Sequence, residues 1–366
     1  RYLVSDIIKT PLHDIHLARG GNIVSFGGYY MPMHFGSITD EHEAVRSRAG
    51  LFDVSHMGQL LVSGNDSEMF LEKITTNNVG TLSVGDVQYT CMCDNNGGII
   101  DDLLLFKLSL DKYMLIVNAS NTLKDYSWIK SNLEGDVSLI NDSLGSCILA
   151  IQGPSSRNIL KKLTNVNLDK LNFYKFCIGK FCGHSSIISR TGYTGELGYE
   201  LYVRQESVVD VWENIMKIGK KLGIKPAGLG ARDTLRMEMK YLLYGNDISQ
   251  NTNPIEAGLG WITRLEKNDF IGKSALKKIQ KSAKRKLVCI KMQERAIPRS
   301  GYPIYVKGLH VGNVTSGTMS PSLSCGIAIG YVNIEHSNLE TALHIDIRGK
   351  RRSGIIVQPP FYSEGS

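Results

Sequence analysis

The sequence has no run of about 18 consecutive apolar residues, the length that a membrane-spanning helix needs, so no membrane segment is expected. Its seven cysteines form no C-x-x-C pair and follow no regular spacing, which argues against a redox motif and against a zinc site. An odd number of cysteines without paired spacing favours reduced, structural side chains in an intracellular protein. We therefore expect no membrane association and no metal site.

Nucleotide and hydrolase signatures are missing too. There is no P-loop, no G-x-S-x-G nucleophile turn and no G-x-G-x-x-G dinucleotide motif. The sequence therefore gives no indication of a P-loop nucleotidase, an α/β-hydrolase or a dinucleotide-binding enzyme. The formal net charge is +7, and part of it lies in a lysine-rich stretch at 273–286. Because that stretch contains no aromatic residues, it does not resemble a nucleic-acid surface. Two roles are left for this stretch: it forms a solvated helix face, or its positive charge steers an acidic protein partner.

Strand-like and helix-like segments alternate over most of the 366 residues. Apolar periodicity and turn residues predict helices at 37–49, 66–74, 154–163 and 207–222. Beyond residue 285 the chain changes to short strands and turns rich in Gly, Ser and Thr, a pattern typical of a small β-barrel or sandwich. The sequence thus predicts a mixed α/β region followed by a β domain.

Two adjacent acids, Asp101 and Asp102, begin a strand that is otherwise almost wholly apolar. Neighbouring strand residues point to opposite faces, so the two carboxylates are not expected to act as a pair. One can face a pocket while the other binds the preceding turn. A carboxylate held against apolar walls has a raised pKa and can accept a proton; an ordinary turn aspartate is the alternative.

The segment 189–200 carries a glycine at every third position from Gly192 to Gly198. Glycines so spaced permit close approach of the backbone to a ligand, and Tyr193 and Tyr199 could stack on a planar ring. Glu200 enters the next strand and would be costly to bury without hydrogen-bond donors. A guanidine-like edge of a planar ligand would supply two adjacent donors, whereas a hairpin with solvated acids is the alternative.

A helix is predicted to open after the glycine-rich turn at 228–230, with Arg232 and Asp233 near its start. Such a first turn can face an anionic or carbonyl group. Arg232 and Arg236 are four residues apart and therefore lie on one face of this helix. Ion pairs with neighbouring side chains are the alternative role for these charges.

Taken together, collinear segments along nearly the whole chain resemble the glycine cleavage T-protein family. They are TPLH at 10–13, LFDVSHM at 51–57, GGIIDD at 97–102, the segment 189–200, ARDTLR at 231–236, YGND at 244–247, PIEAGLGW at 254–261, GNVTSGT at 312–318 and PFY at 360–362. No single segment is decisive, but their common order is specific. One departure is Glu238-Met239-Lys240, where the family usually has Glu-Ala-Gly, and this departure bears on local packing.

The resemblance implies a fold of mixed α+β and α/β character. Three domains would form a cloverleaf around a central folate-binding hole, closed by a C-terminal β-barrel. The first α/β domain would comprise residues 1–50 and 140–284, the inserted second α/β domain 51–139, and the barrel 285–366.

The implied activity is aminomethyl transfer in the glycine cleavage system. The methylene unit on the aminomethyl-lipoyl arm of the H-protein would pass to tetrahydrofolate, the co-substrate, with release of ammonia and without a metal. By position, Asp101 would be the essential carboxylate, and Glu200 and Arg232 would fix the folate. The remaining pocket residues implied by position are Tyr193, Met57, Leu61, Tyr89, Asn118 and, on the barrel side, Tyr362.

Two other functions share parts of this resemblance. A folate-dependent demethylase of a small methylated donor would use the same scaffold, and the sequence separates it only weakly. A non-catalytic folate-binding protein is disfavoured, because its Lys-Gly-Cys-Tyr-x-Gly-Gln stretch is missing. The implied partner is the lipoylated H-protein, whose acidic character predicts an electropositive docking face. The expected location is the cytoplasm of a bacterium or the mitochondrial matrix of a eukaryote.

Overall fold

A computed structural model describes residues 7–364 of the chain. Residues 1–6 and 365–366, which belong to the predicted first and last domains, lie outside the described residues. The helices are α1 (His13–Ala18), α2 (Ile38–Ser47), α3 (Ser67–Ile74), α4 (Thr122–Ser131), α5 (Ser156–Leu160), α6 (Val208–Gly219), α7 (Leu229–Glu238) and α8 (Lys273–Ser282). The strands are β1 (Ile8–Lys9), β2 (Asn22–Phe26), β3 (Tyr29–His34), β4 (Gly50–Asp53), β5 (Gly58–Ser63), β6 (Val87–Cys93), β7 (Ile99–Lys107), β8 (Lys112–Val117), β9 (Ser138–Asn141), β10 (Ser146–Gln152), β11 (Phe176–Phe181), β12 (His184–Ser189), β13 (Gly198–Arg204), β14 (Lys225–Pro226), β15 (Arg285–Met292), β16 (Pro303–Val306), β17 (Leu309–Ser320), β18 (Cys325–Asn333), β19 (Ala342–Ile347) and β20 (Lys350–Val357).

These strands form three open sheets and one closed barrel within the described part of the chain. The open sheets have the orders β1-β3-β2, β11-β12-β13-β10-β4-β14 and β6-β7-β8-β5-β9. The barrel has the order β15-β18-β17-β16-β19-β20. The predicted mixed α/β class with a C-terminal β-barrel is confirmed, whereas the three domain boundaries stay a prediction. Among the helices of residues 7–364, none is long and apolar enough to cross a membrane.

Three of the four predicted helices form close to their predicted bounds, and the fourth is shorter. Helix α2 begins after Ser37, whose hydroxyl oxygen accepts a hydrogen bond from the backbone N–H of Asp40 at 3.2 Å, as a helix cap requires. Helix α5 ends at Leu160, and the backbone N–H of Leu163 bonds the carbonyl of Leu160 at 2.9 Å instead of continuing the α-helix. The predicted bounds 154–163 therefore include turns on both sides of this short helix.

Strand β7 is buried on both of its faces. Leu103 and Leu105 pack with apolar residues of α3 and α4, whereas Leu104 and Phe106 pack on the other side, toward the six-stranded sheet. This two-sided burial explains why β7 reads as a continuous apolar run rather than as an alternating one. It also means that successive residues of β7 enter different environments.

Helix α7 joins the open sheets to the barrel, since it packs against α2, β3 and β17. Its Arg236 donates to the carboxylate of Asp247 at 2.7 Å, and both side chains are almost fully buried. The same carboxylate accepts hydrogen bonds from the Leu243 N–H at 3.0 Å and from the Thr315 hydroxyl of β17 at 2.6 Å. Asp247 thus connects α7 to the barrel through three donors.

We predict that Asp247→Ala lowers the free energy of unfolding by about 3–5 kcal/mol, because it leaves the buried Arg236 charge without its main partner. Equilibrium unfolding in urea measures the loss. Asp233→Ala removes the other carboxylate that binds Arg236. Because the Asp233 side chain is 46% exposed, this variant should lower the free energy of unfolding by less than about 1 kcal/mol. Equal losses in the two variants would contradict the assignment of Asp247 as the connecting residue.

Candidate active site

A cavity of about 1300 Å³ lies where the two larger open sheets, α7 and the barrel meet. Strands β6, β7 and β13, helix α7 and barrel strand β17 each contribute side chains to its wall. A volume of this size can hold a ligand with several rings. Polar and charged side chains alternate with apolar ones in the wall, so the cavity suits a ligand that has both apolar faces and polar edges.

Asp102 is the carboxylate that β7 presents to the cavity. The Tyr89 hydroxyl donates to its Oδ2 at 2.8 Å, and the Asn118 side-chain amide donates to its Oδ1 at 2.9 Å. Burial and the neighbouring Asp101 raise the pKa of Asp102 to about 7, although the two hydrogen bonds oppose this shift. A carboxyl group with such a pKa can both accept and return a proton near neutral pH.

Asp101 points to the opposite face of β7 and is fully buried. It is not part of the cavity wall. Its carboxylate accepts the backbone N–H of Asn118 at 3.0 Å, the side-chain amide of Asn118 at 2.8 Å and that of Asn121 at 2.7 Å. The resemblance placed Asp101 beside the ligand. In the structure the neighbouring Asp102 lines the cavity and Asp101 does not, because adjacent strand residues alternate between faces.

Glu200 on β13 and Arg232 on α7 are two further charged residues of the wall, which also includes Asp233, Arg236, Lys240 and Arg299. Glu200 accepts hydrogen bonds from the hydroxyl groups of Thr191 and Tyr202, and burial raises its pKa. Burial lowers the pKa of the Arg232 guanidinium, an effect that Tyr193 and Glu200 oppose. Among residues 7–364, the hydrogen bonds and ion pairs include no acceptor for that guanidinium. The Arg232 side chain is half-buried, so its donors face the cavity rather than a protein acceptor.

Aromatic rings form much of the remaining wall. Tyr193 stacks on Tyr241 with ring centroids 5.6 Å apart, and the guanidinium of Arg232 lies 4.6 Å above the Tyr193 ring. On the β6 side, the rings of Tyr89 and Trp261 are 5.9 Å apart. The arrangement offers flat apolar surfaces beside a few hydrogen-bonding groups, which suits a planar ligand with a polar edge.

Six of the nine predicted site residues lie in this wall, and three do not. Those in the wall are Met57, Tyr89, Asn118, Tyr193, Glu200 and Arg232. Besides Asp101, the exceptions are Leu61, which borders a separate small groove, and Tyr362, whose ring lies under the Arg46 guanidinium at 4.3 Å. Tyr199, considered for stacking, is fully buried in the core of the six-stranded sheet.

Sequence reasoning missed several residues of the wall, which are Asp102, His56, Tyr174, Tyr202, Tyr241, Tyr244 and Trp261. The sequence shows Asp102 as the second acid of the pair. Because β7 is apolar on both faces, the sequence does not indicate which of the two acids faces the cavity. His56 is almost fully buried; burial and the nearby Arg232 lower its pKa to about 4, so that it is neutral at physiological pH. No group of three or more His, Cys, Asp or Glu side chains in the described part of the chain could hold a metal ion.

Comparisons with known proteins decide the family. Residues 12–267 match the GCVT N-terminal domain, and residues 285–363 match the glycine cleavage T-protein C-terminal barrel domain. The chain belongs to the glycine cleavage T-protein family. A protein of Halothermothrix orenii named aminomethyltransferase is 51% identical over 354 residues, which cover 96% of this chain and 99% of that relative. Another of the same name, from Bacillus cytotoxicus, is 46% identical over 97% of this chain and 98% of its own length.

A solved structure agrees with this assignment. The glycine cleavage system aminomethyltransferase T from Bartonella henselae superposes with a TM-score of 0.92 at 30% sequence identity. The match covers 98% of this chain and 99% of that chain. The likeness thus extends over the open sheets and the barrel together, and membership of the glycine cleavage system implies partner proteins of that system.

The departure at Met239 and Lys240 lies in the cavity wall. A Cβ added at Gly195, where φ is +80°, would lie 2.4 Å from the sulfur of Met239, so Gly195 makes room for this larger side chain. Lys240 adopts a left-handed backbone with φ of +57°, which is costly for a residue with a Cβ. Local packing around the cavity therefore differs from the family pattern at both positions.

We predict that Lys240→Gly raises the free energy of unfolding by up to about 1 kcal/mol, because relief of the backbone strain outweighs the greater flexibility of glycine in the unfolded chain. Lys277→Gly in the exposed middle of α8 is the matched control, and it should lose about 0.5–1 kcal/mol. Thermal unfolding compares the two. A larger loss at Lys240 than at Lys277 would show that the Lys240 side chain makes contacts that outweigh its strain.

Proposed function

We propose that this chain is the aminomethyltransferase of the glycine cleavage system, with tetrahydrofolate and the lipoylated H-protein as its substrates. It transfers the methylene unit of the aminomethyl group on the lipoyl arm to tetrahydrofolate, releases ammonia and forms 5,10-methylenetetrahydrofolate. One observation carries the proposal for the site. The carboxyl group of Asp102 and the guanidinium of Arg232, which has no acceptor among the described residues, face the same aromatic cavity. Family membership supports the reaction.

Tetrahydrofolate fits the chemistry of this wall. Its bicyclic ring is flat enough to lie against Tyr193, and the guanidine-like edge of that ring carries N–H donors that a carboxylate such as Glu200 accepts. Arg232 has donors that the protein leaves unused, and the ring carbonyl is an acceptor for them. We therefore assign Glu200 and Arg232 to holding the ring, and Asp102 to the reacting amines.

The transfer breaks the carbon–sulfur bond and the carbon–nitrogen bond of the aminomethyl group and forms two bonds from its carbon to folate nitrogens. Two protons leave the folate amines; one ends on the lipoyl sulfur and one on the departing ammonia. An anionic Asp102 stabilises the cationic, iminium-like carbon that forms when ammonia leaves. Because its pKa is near 7, the same group can accept a proton from a folate amine. The dry aromatic walls hold both reactants at bonding distance.

We predict that Asp102→Asn lowers kcat for ammonia release by about 10²–10⁴-fold, while tetrahydrofolate still binds because Glu200 and Arg232 are unchanged. The assay supplies aminomethylated H-protein and tetrahydrofolate and follows ammonia and 5,10-methylenetetrahydrofolate. The wild-type pH profile should rise with pH through about 7, as the Asp102 carboxyl loses its proton.

Asp111→Asn is the control, because Asp111 is an exposed carboxylate between β7 and β8 and should leave the rate unchanged. Wild-type activity in Asp102→Asn would remove Asp102 from the mechanism. A wild-type protein that binds tetrahydrofolate, releases no ammonia and accepts a methyl group from a small amine would overturn the proposed reaction in favour of a demethylase.

The H-protein should dock through charge attraction, since this chain carries a net charge of +7 and exposed lysines on α8. We predict that KM for the H-protein rises when the ionic strength increases from about 0.05 M to about 0.3 M, because salt screens attraction between exposed charges. The value of kcat at saturating H-protein should change little, which serves as an internal control. A KM that is insensitive to salt would contradict an electropositive docking face.

A further inference from the structure

A second pair of carboxyl groups lies behind the cavity wall, on the side of β7 that faces α4. Asp125 of α4 is fully buried, and its carboxyl group lies next to that of Asp101, close enough for the charge of Asp101 to act on it. Neither residue lines the cavity. Two buried carboxyl groups in contact cannot both be ionised without a large cost, so the position of the proton between them has to be explained.

The hydrogen-bond donors around the pair are unequally divided. Asp101 receives three, from the backbone and the side chain of Asn118 and from the side chain of Asn121. Within residues 7–364, neither oxygen of Asp125 has a donor. A carboxylate is stabilised where donors surround it, and a buried one without donors is strongly disfavoured. The donors therefore place the negative charge on Asp101 and the proton on Asp125, which satisfies both groups with one shared hydrogen bond.

The other titratable groups around the pair do not change this assignment. They are Asp102 on the same strand, Cys91 on β6, Lys124 on α4 and Tyr244 after α7. Lys124 is the cation among them; its ammonium is 3.9 Å from Asp125 but donates to the Ile100 carbonyl at 2.5 Å and to the Tyr244 hydroxyl at 3.1 Å. Burial and the charge of Asp101 together raise the pKa of Asp125 to about 11, in spite of Lys124.

One side chain links this pair to the cavity. The Asn118 amide nitrogen donates to Asp101 at 2.8 Å and to Asp102 at 2.9 Å, so it holds the two carboxyl groups at a fixed separation. The charge on Asp101 acts on Asp102 across this short distance. Asp101 and Asp125 touch neither the cavity nor a ligand in it, and any effect on the reaction must pass through Asp102.

We propose that Asp101 and Asp125 share one proton, held on Asp125, and that the resulting fixed negative charge on Asp101 keeps Asp102 able to exchange a proton with the bound substrate at neutral pH. The two are positioning residues, and their influence on turnover rests on the proposed function. The shared proton itself is a property of the ligand-free protein and does not depend on that function.

The first test titrates the ligand-free protein labelled with ¹³C at the aspartate carboxyl groups, followed by NMR. Wild type should show one aspartate that stays protonated from about pH 5 to about pH 9, far above the usual range, and one that titrates near 7. Asp125→Asn should abolish the first signal only, because the asparagine amide replaces the acid proton as the donor to Asp101. A wild-type spectrum with no aspartate protonated at neutral pH would overturn the shared proton.

The second test compares pH profiles of the transfer reaction. Asp125→Asn should leave the midpoint within about 0.3 pH unit of wild type, since it preserves the charge of the pair, whereas Asp101→Asn should lower the midpoint by about one unit or more, because it removes that charge. If Asp125→Asn lowers the midpoint as Asp101→Asn is expected to, then Asp125 is ionised and the proposal fails. A protein that shows the NMR signals but catalyses no transfer would retain the shared proton and lose the proposed function.

Discussion

A cavity of about 1300 Å³ has to be kept open although its apolar walls would gain by closing on each other. Buried carboxyl groups at both ends of α7 fix the surrounding elements in place. Near its C-terminal end, Glu238 binds Arg46 of α2 at 2.7 Å and Ser322 of the barrel region at 2.8 Å. Burial opposes ionisation of Glu238, but its interactions with His42 and its hydrogen bonds with Ser320 and Arg46 outweigh burial and bring its pKa to about 2.

At the other end, Glu41 of α2 accepts the backbone N–H groups of Phe35 and Gly228, the residue before α7. Helix α7 is thereby fixed to α2 at its start and near its end, and Arg236 binds it to the barrel through Asp247. Each of these contacts is directional and buried, so the elements cannot slide without leaving a buried polar or charged group without its partner. The position of Arg232 in the wall follows from this rigid attachment of its helix.

Local patterns were enough to predict most helices and the change to a β domain, because apolar periodicity and turn residues act over short stretches. They could not predict the strand order. Strand β10 pairs with β4 on one side and with β13 on the other, and these strands are far apart in the sequence. The cavity arises from such long-range pairing, so its existence came from the family resemblance rather than from the residues themselves.

For the site, too, some residues could be predicted from local patterns and others could not. Glu200 and Arg232 stood out because a charge beside glycines at the start of a strand or helix needs an explanation. The choice between Asp101 and Asp102 depended on which face of β7 meets the cavity, and Leu103 to Phe106 are apolar on both faces. Tyr174, Tyr202 and Trp261 reach the wall from three separate stretches of chain. No spacing rule connects them, so only the folded structure could bring them together.

The guanidinium of Arg232 is half-buried in the cavity wall without an acceptor among residues 7–364, so this group is locally frustrated. Folding alone does not satisfy this group, and the cost is carried by the well-packed helix on which it stands. A ligand that supplies the missing acceptor relieves the frustration and binds the folded chain but not the unfolded one, so the occupied enzyme is the more stable form. If the ligand is tetrahydrofolate, as proposed above, its availability would influence how long the protein persists as well as how fast it works.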